Sequence, residues 1–126
     1  MSVDWSQIEI FKGIDLNDSF VLNWDQDGDS LVFDLDASIW PESEYYSKPV
    51  EGEYACYRKA TLIFTNVKNI SGLRNIESVI PTIDPDGSID YGEIETFCLT
   101  SSGFKLSGDF GLVTIQGGEF TFEIHT

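Results

Sequence analysis

The chain has 126 residues and a mass of 14.1 kDa, 41% of them hydrophobic and 13% aromatic. That is the size of one domain, 1–126, with enough apolar matter for a core and too much for a disordered acidic tail. Twenty-two acids against seven bases give a formal charge of −15, which argues against direct binding to a phosphate backbone, since that contact needs Lys and Arg.

The first segment, Val3–Phe11, reads as a turn or two of helix capped by Ser2 or Asp4, or equally as a strand through Ile8 and Ile10. Ser19–Asp25 has a period of two, with Phe20, Leu22 and Trp24 expected on one buried face. Ser30–Ala37 repeats the pattern, with Leu31, Phe33 and Leu35 inward and Asp34 and Asp36 outward. Asp27-Gly28 between them predicts a hairpin. Ala60–Val67 is apolar on both sides and suits a central strand or one covered on both faces. Ser71–Ile80 is read as a short helix or an extended crossing.

Asp86-Gly87 predicts a turn before a strand in Ser88–Leu99, and Ser102-Gly103 separates that strand from Phe104–Ser107. Gly117-Gly118 is expected to join Gly111–Gln116 to the last strand, Glu119–His125, as a short hairpin. In that last strand Phe120, Phe122 and Ile124 point inward, and Thr121, Glu123 and His125 outward. The expected fold is all-β, an antiparallel sandwich or partly open barrel of about eight strands, with one short helix left as an open alternative.

No run of about 18 apolar residues is present, so a membrane-spanning helix is not expected. Met1-Ser2-Val3-Asp4-Trp5 has neither the basic cap nor the apolar stretch of a secretory signal, and a cytoplasmic location is expected. In a reducing compartment Cys56 and Cys98 are expected as free, buried thiols. His125 is the one imidazole, and the chain has no Gly-x-Ser-x-Gly, His-Glu-x-x-His, Cys-x-x-Cys or phosphate-binding glycine loop. No catalytic residue, metal or cofactor is expected.

Charge is uneven along the chain. Residues 1–57 carry a net −11, residues 58–76 a net +4 through Arg58, Lys59, Lys68 and Arg74, and residues 77–126 a net −8. Such a field resists self-association and draws in basic partners. Four of the five tyrosines and one tryptophan fall within 18 residues, Trp40, Tyr45, Tyr46, Tyr54 and Tyr57, interleaved with Glu42, Glu44, Glu51 and Glu53. Aromatic rings supply stiff contact area and carboxylates beside them favour cations, so these nine residues are the expected contact surface for a basic protein. The bland alternative is that the rings only pack a loop onto the sheet.

Two segments approach a calcium loop. Thr82 to Glu93 offers Asp84, Asp86, Asp90 and Glu93 with a glycine at the sixth position, but Thr82 replaces the first acid and strands, not helices, are expected around it. Asn23-Trp24-Asp25-Gln26-Asp27-Gly28 departs further and is better read as a solvated hairpin tip. A calcium-binding β module is therefore an alternative function. Another is a DNA-mimic nuclease inhibitor, with regular rows of carboxylates in place of phosphates.

Asn17-Asp18-Ser19 opening a strand, Leu31-Val32-Phe33-Asp34-Leu35 as its mate, Leu62 to Ile70 after a variable loop, and Phe104-Lys105-Leu106-Ser107-Gly108-Asp109-Phe110-Gly111 form an arrangement of about 100 residues. It resembles the acidic all-β immunity proteins encoded beside bacterial polymorphic toxins. The resemblance implies an inhibitor that binds a toxin and performs no chemistry, and it assigns no functional residues. The leading expectation is accordingly a non-enzymatic protein that engages a basic partner, a toxin being the type.

Overall fold

The computed structural model describes residues 2–48 and 56–125, and these form two packed antiparallel sheets that do not close into a barrel. The first sheet has the order β1 (Ser2–Asp4), β8 (Ile94–Thr100), β9 (Gly103–Gly108), β10 (Gly111–Gln116) and β5 (Asn69–Leu73). The second has the order β11 (Glu119–Ile124), β4 (Cys56–Thr65), β3 (Ser30–Ile39) and β2 (Ile14–Asp27). A separate ribbon pairs β6 (Thr82–Ile83) with β7 (Ile89–Asp90). Eleven strands are thus found among the described residues where about eight were expected, because β1 and the ribbon strands are too short to show a hydrophobic period.

Alternation in the sequence builds the core. Leu31, Phe33 and Leu35 of β3 and Leu62 and Phe64 of β4 are fully buried, and they face Phe97, Leu106 and Val113 of the first sheet. Phe64 touches rings of both sheets, with centroids 5.8 Å from Phe97, 5.1 Å from Phe104 and 6.3 Å from Phe33. Phe110 lies in the two-residue loop between β9 and β10, yet it is fully buried 4.9 Å from Phe33. β4 lies between β11 and β3, as a central strand, and its outward residues Thr61, Ile63 and Thr65 stay half-exposed.

Among the described residues no stretch forms a longer helix. Val3–Phe11 splits into β1 and two single 3-10 turns, Trp5–Gln7 and Glu9–Phe11, the first capped by Asp4, whose carboxylate accepts from Ser6 N at 3.1 Å. Ser71–Ile80 contains the end of β5 and one 3-10 turn, Ile76–Ser78. Cys56 is buried, whereas Cys98 is half-exposed: the irregular register between Ile94 and Thr96 turns Phe97 into the core and leaves Cys98 facing out, opposite Lys105. Among the described residues no helix is long and apolar enough to cross a membrane.

The expected hairpin at Asp27-Gly28 is present as a two-residue loop, Gly28-Asp29, closed by the Asp27–Ser30 pair. Gly28 has φ +60° and Asp29 does not share the positive sign, the pattern of a II′ turn. Gly117-Gly118 is not a hairpin. It carries the chain from the first sheet at Gln116 to the second at Glu119, and β11 pairs with β4 instead of β10. Both glycines have positive φ, +74° and +82°, and this consecutive turn redirects the strand across the sandwich.

The inward face of β2 also differs from the expectation. Leu16, Val21 and Trp24 are buried, while Phe20 and Leu22 are half-exposed. The register with β3 shifts twice, between Asp15 and Phe20 and between Val21 and Asn23. The first irregularity adds three residues to β2 and the second adds one, and an odd insertion exchanges the two faces of the strand. Ser19 repairs the first gap: it is fully buried, its Oγ donates to Asp15 O at 2.7 Å, and it accepts from Ser38 N at 2.9 Å.

Candidate functional site

The bulged part of β2 borders a groove. Phe20 and Leu22, turned outward, form a floor with Asp36 of β3 and Tyr57 and Lys59 of β4. The ribbon stands over this floor as a wall, contributing Asp84, Pro85, Asp86, Ile89 and Asp90. The space between encloses about 900 Å³, the size range of ligand-binding clefts. The Phe20 and Tyr57 rings lie 5.7 Å apart at a tilt of 46°. Lys59 Nζ is 3.0 Å from Asp36 Oδ1, so the one base of the lining is engaged by an acid of the same lining.

The ribbon is fixed to β2 by backbone. Val21 N donates to Gly92 O and Tyr91 N donates to Val21 O, both at 2.8 Å, and Phe20 pairs with Glu93 in an isolated bridge. The outer edge of β2 is therefore covered by residues 91–93, and the predicted strand Ser88–Leu99 is broken there into β7 and β8. Asp90 is buried and accepts from Gly92 N at 2.8 Å, which holds the corner. In the loop, Ser88 N donates to Asp86 Oδ1 at 2.9 Å, and Ser88 Oγ reaches Asp86 Oδ1 at 2.7 Å and Asp84 Oδ2 at 3.2 Å. The side-chain and backbone hydrogen bonds from Ser88 hold the Asp86 carboxyl below its ordinary range.

The predicted Asp-Gly turn is thus confirmed, but the calcium set is not gathered. Asp84 and Asp86 bind Ser88, Asp90 binds the Gly92 amide, and strands flank the segment. Among the described residues no three His, Cys, Asp or Glu side chains are grouped to hold a metal ion. The second near-match, Asn23–Gly28, is the end of β2 and its turn, with Asp25, Asp27 and Asp29 exposed. The rows expected of a DNA mimic are interrupted on the outer face of the second sheet. Asp25 is followed across the strands by Val32, Ile63 and Thr121, and Asp34 by Thr61 and Glu123.

Glu93 sits at the junction of ribbon, β2 and β8. Partial burial and then the charges of Asp18, Asp15, Asp90 and Glu95 push its carboxyl above the ordinary value of 4.5. Burial and Asp15 raise Asp18 above 3.8 in the same way. A carboxyl whose pKa is higher folded than unfolded contributes stability that is fully present below its unfolded value and lost as pH rises through the folded one. Glu93→Gln is therefore expected to raise the thermal midpoint at pH 7 by about 1–3 °C, scaled from exposed charge pairs. The gain shrinks toward zero near pH 4. A midpoint at pH 7 that stays put or drops would show that these acids do not repel one another in the folded chain.

Six of the nine expected contact residues are described, and they fall in more than one place. Tyr57 lies in the large groove. Trp40 and Glu42 line a second, smaller cleft of about 310 Å³ with Trp5, Ile8, Glu9 and Lys12. Trp40 is 40% exposed, and its backbone N–H donates to Gly13 O. Glu44 is exposed in the same turn, while Tyr45 and Tyr46 are half-buried against the core, as the packing alternative has it. Glu51, Glu53 and Tyr54 lie outside the described residues. Sequence reading missed Phe20 and Leu22. The signal was present in Phe20-Val21-Leu22, three consecutive apolar residues that cannot share one face of a strand.

In class the chain is an all-β antiparallel sandwich with an added ribbon. No family model, no curated protein and no solved structure matches it.

Proposed function

We propose that this protein is a non-enzymatic binding module that engages a basic protein partner and blocks it, in the manner of a toxin or nuclease inhibitor. The groove between the second sheet and the ribbon carries the reading. Among the described residues its lining holds five carboxylates, Asp36, Asp84, Asp86, Asp90 and Glu93, against Lys59 alone, over an aromatic floor. Apolar area supplies affinity and the carboxylates select a cationic surface. With a net charge of −15 on the chain, long-range attraction steers such a partner in. Inhibition then follows from steric occlusion and requires no chemistry.

The test is affinity capture by the full chain from its source cells at about 20 mM and 500 mM salt, followed by association kinetics with the captured protein. The expected result is a basic protein whose activity is suppressed by the chain and whose association rate drops about tenfold or more between the two salts. A partner that is neutral or acidic, or a rate that ignores salt, would refute the proposal.

A further inference from the structure

The geometry points to a more specific occupant: we infer that the groove between β2–β3–β4 and the ribbon takes an extended, arginine-bearing segment of the partner. The inference rests on the reading of the protein as a module for basic partners. A cleft of about 900 Å³ is of the size that encloses a small ligand, so it admits a short run of chain and not the broad face of a folded protein. The occupant is therefore a protruding loop or tail.

The lining then selects among cations. Phe20 and Tyr57 present two tilted rings as a floor, and Asp84, Asp86 and Glu93 stand around it. A guanidinium is planar, stacks on aromatic faces and offers a fork of donors to carboxylates, while an ammonium is a compact and strongly hydrated charge. Rings plus carboxylates in one groove thus favour arginine over lysine. Lys59 does not oppose this, because Asp36 already neutralises it. Glu93 adds to the attraction. Asp18, Asp15, Asp90 and Glu95 all act on it with the same sign, and an incoming cation relieves that repulsion.

The probes are hexa-arginine, hexa-lysine and hexa-citrulline peptides, the last an uncharged isostere of arginine, titrated into the isotopically labelled full chain and followed by amide shifts. Shifts are expected at Leu22, Tyr57, Ile89 and Glu93 with hexa-arginine, weaker binding of hexa-lysine by several-fold, and none with hexa-citrulline. Exchanging both rings, Phe20→Leu with Tyr57→Leu, keeps apolar volume but removes the π faces, and should weaken hexa-arginine about tenfold. Glu93→Gln provides a second variant with no cost in packing, and should weaken it several-fold. Shifts centred on Asp25–Asp29 or on the Asp34–Glu123 row, equal affinity for arginine and lysine, or unchanged affinity in both variants would overturn the inference. If a captured basic partner binds these variants as it binds the parent, the groove assignment fails while the basic-partner reading stands. If no basic partner is captured, that reading fails by itself.

Discussion

Truncating Phe64 to alanine is expected to cost about 3–5 kcal/mol, the range for removing a fully buried ring, and to lower the thermal midpoint by roughly 10–20 °C. Phe64 is fully buried near the C-terminal end of β4, and its ring meets Phe33 on its own sheet, Phe97 and Phe104 on the facing sheet, and Phe120 on the neighbouring strand. Alanine would leave a void that both sheets border, and neither can collapse into it without disturbing its own ladder. For a domain whose whole stability is of order 5–15 kcal/mol, such a loss approaches unfolding. Phe64→Leu retains part of the volume and should lose markedly less. Chemical denaturation of both variants checks this: equal midpoints for the parent and Phe64→Ala would mean that the ring cluster does not hold the layers together.

Gly118→Ala is expected to destabilise the fold nearly as strongly, although it adds one methyl group. Gly118 has φ +82°, and a Cβ there would stand 2.4 Å from the backbone oxygen of Thr65 and 3.1 Å from Cγ2 of Val67. The positive φ alone costs a non-glycine residue about 1–3 kcal/mol. The clash adds to it, because the opposing atom is backbone of β4 and cannot rotate away. Gly28 is the contrasting case. Its φ is also positive, but nothing lies within 4 Å of a Cβ built there, so a side chain there meets the conformational cost alone. Gly28→Ala should therefore cost about 1–3 kcal/mol, and Gly118→Ala more, with a midpoint lower by several further degrees. Similar losses at both positions would show that φ, and not the approach of β4, sets the penalty at the corner.

Much of the sandwich is legible in the chain itself. β3 alternates as far as Ala37 and β11 throughout, so Leu31, Phe33, Leu35 and Phe122 can be placed inward from spacing alone, and the turn after Asp27 follows from glycine chemistry. The faces of β2 are not legible in the same way. A bulge leaves no residue signature beyond the run Phe20-Val21-Leu22, and it is the pairing with β3 that decides which of the three is buried. Gly117-Gly118 shows a second limit. Two glycines suit a hairpin and a change of sheet equally well, and only the long-range partner of β11 distinguishes them. The groove was hidden for a related reason. Its floor and wall come from residues 20–22, 36, 57–59 and 82–93, which are far apart in sequence, and local composition pointed to the aromatic stretch instead. Among the described residues Tyr57 is the one expected contact residue that lines the groove, and the four acids of the calcium alternative, Asp84, Asp86, Asp90 and Glu93, line it too.

The corner at Gly118 has a neighbour that gives it wider meaning. The passage from β4 to β5 crosses between the sheets beside it, and the two strands of chain are laced together: Lys68 N donates to Gln116 O at 2.8 Å, and Val67 N donates to Asp29 O at 3.0 Å. Two covalent spans and the Gly28 turn therefore gather at one end of the molecule, like the spine of a book. Tyr57 and Lys59 lie toward the opposite, fore-edge end of β4. The fore-edge is fastened as well, because Asn17 Nδ2 donates across the sheets to Ile94 O at 2.9 Å and to Glu95 O at 3.0 Å, and the ribbon is held to Val21 by backbone. A partner seated there would meet a mould already set, and docking would take little freedom from its host.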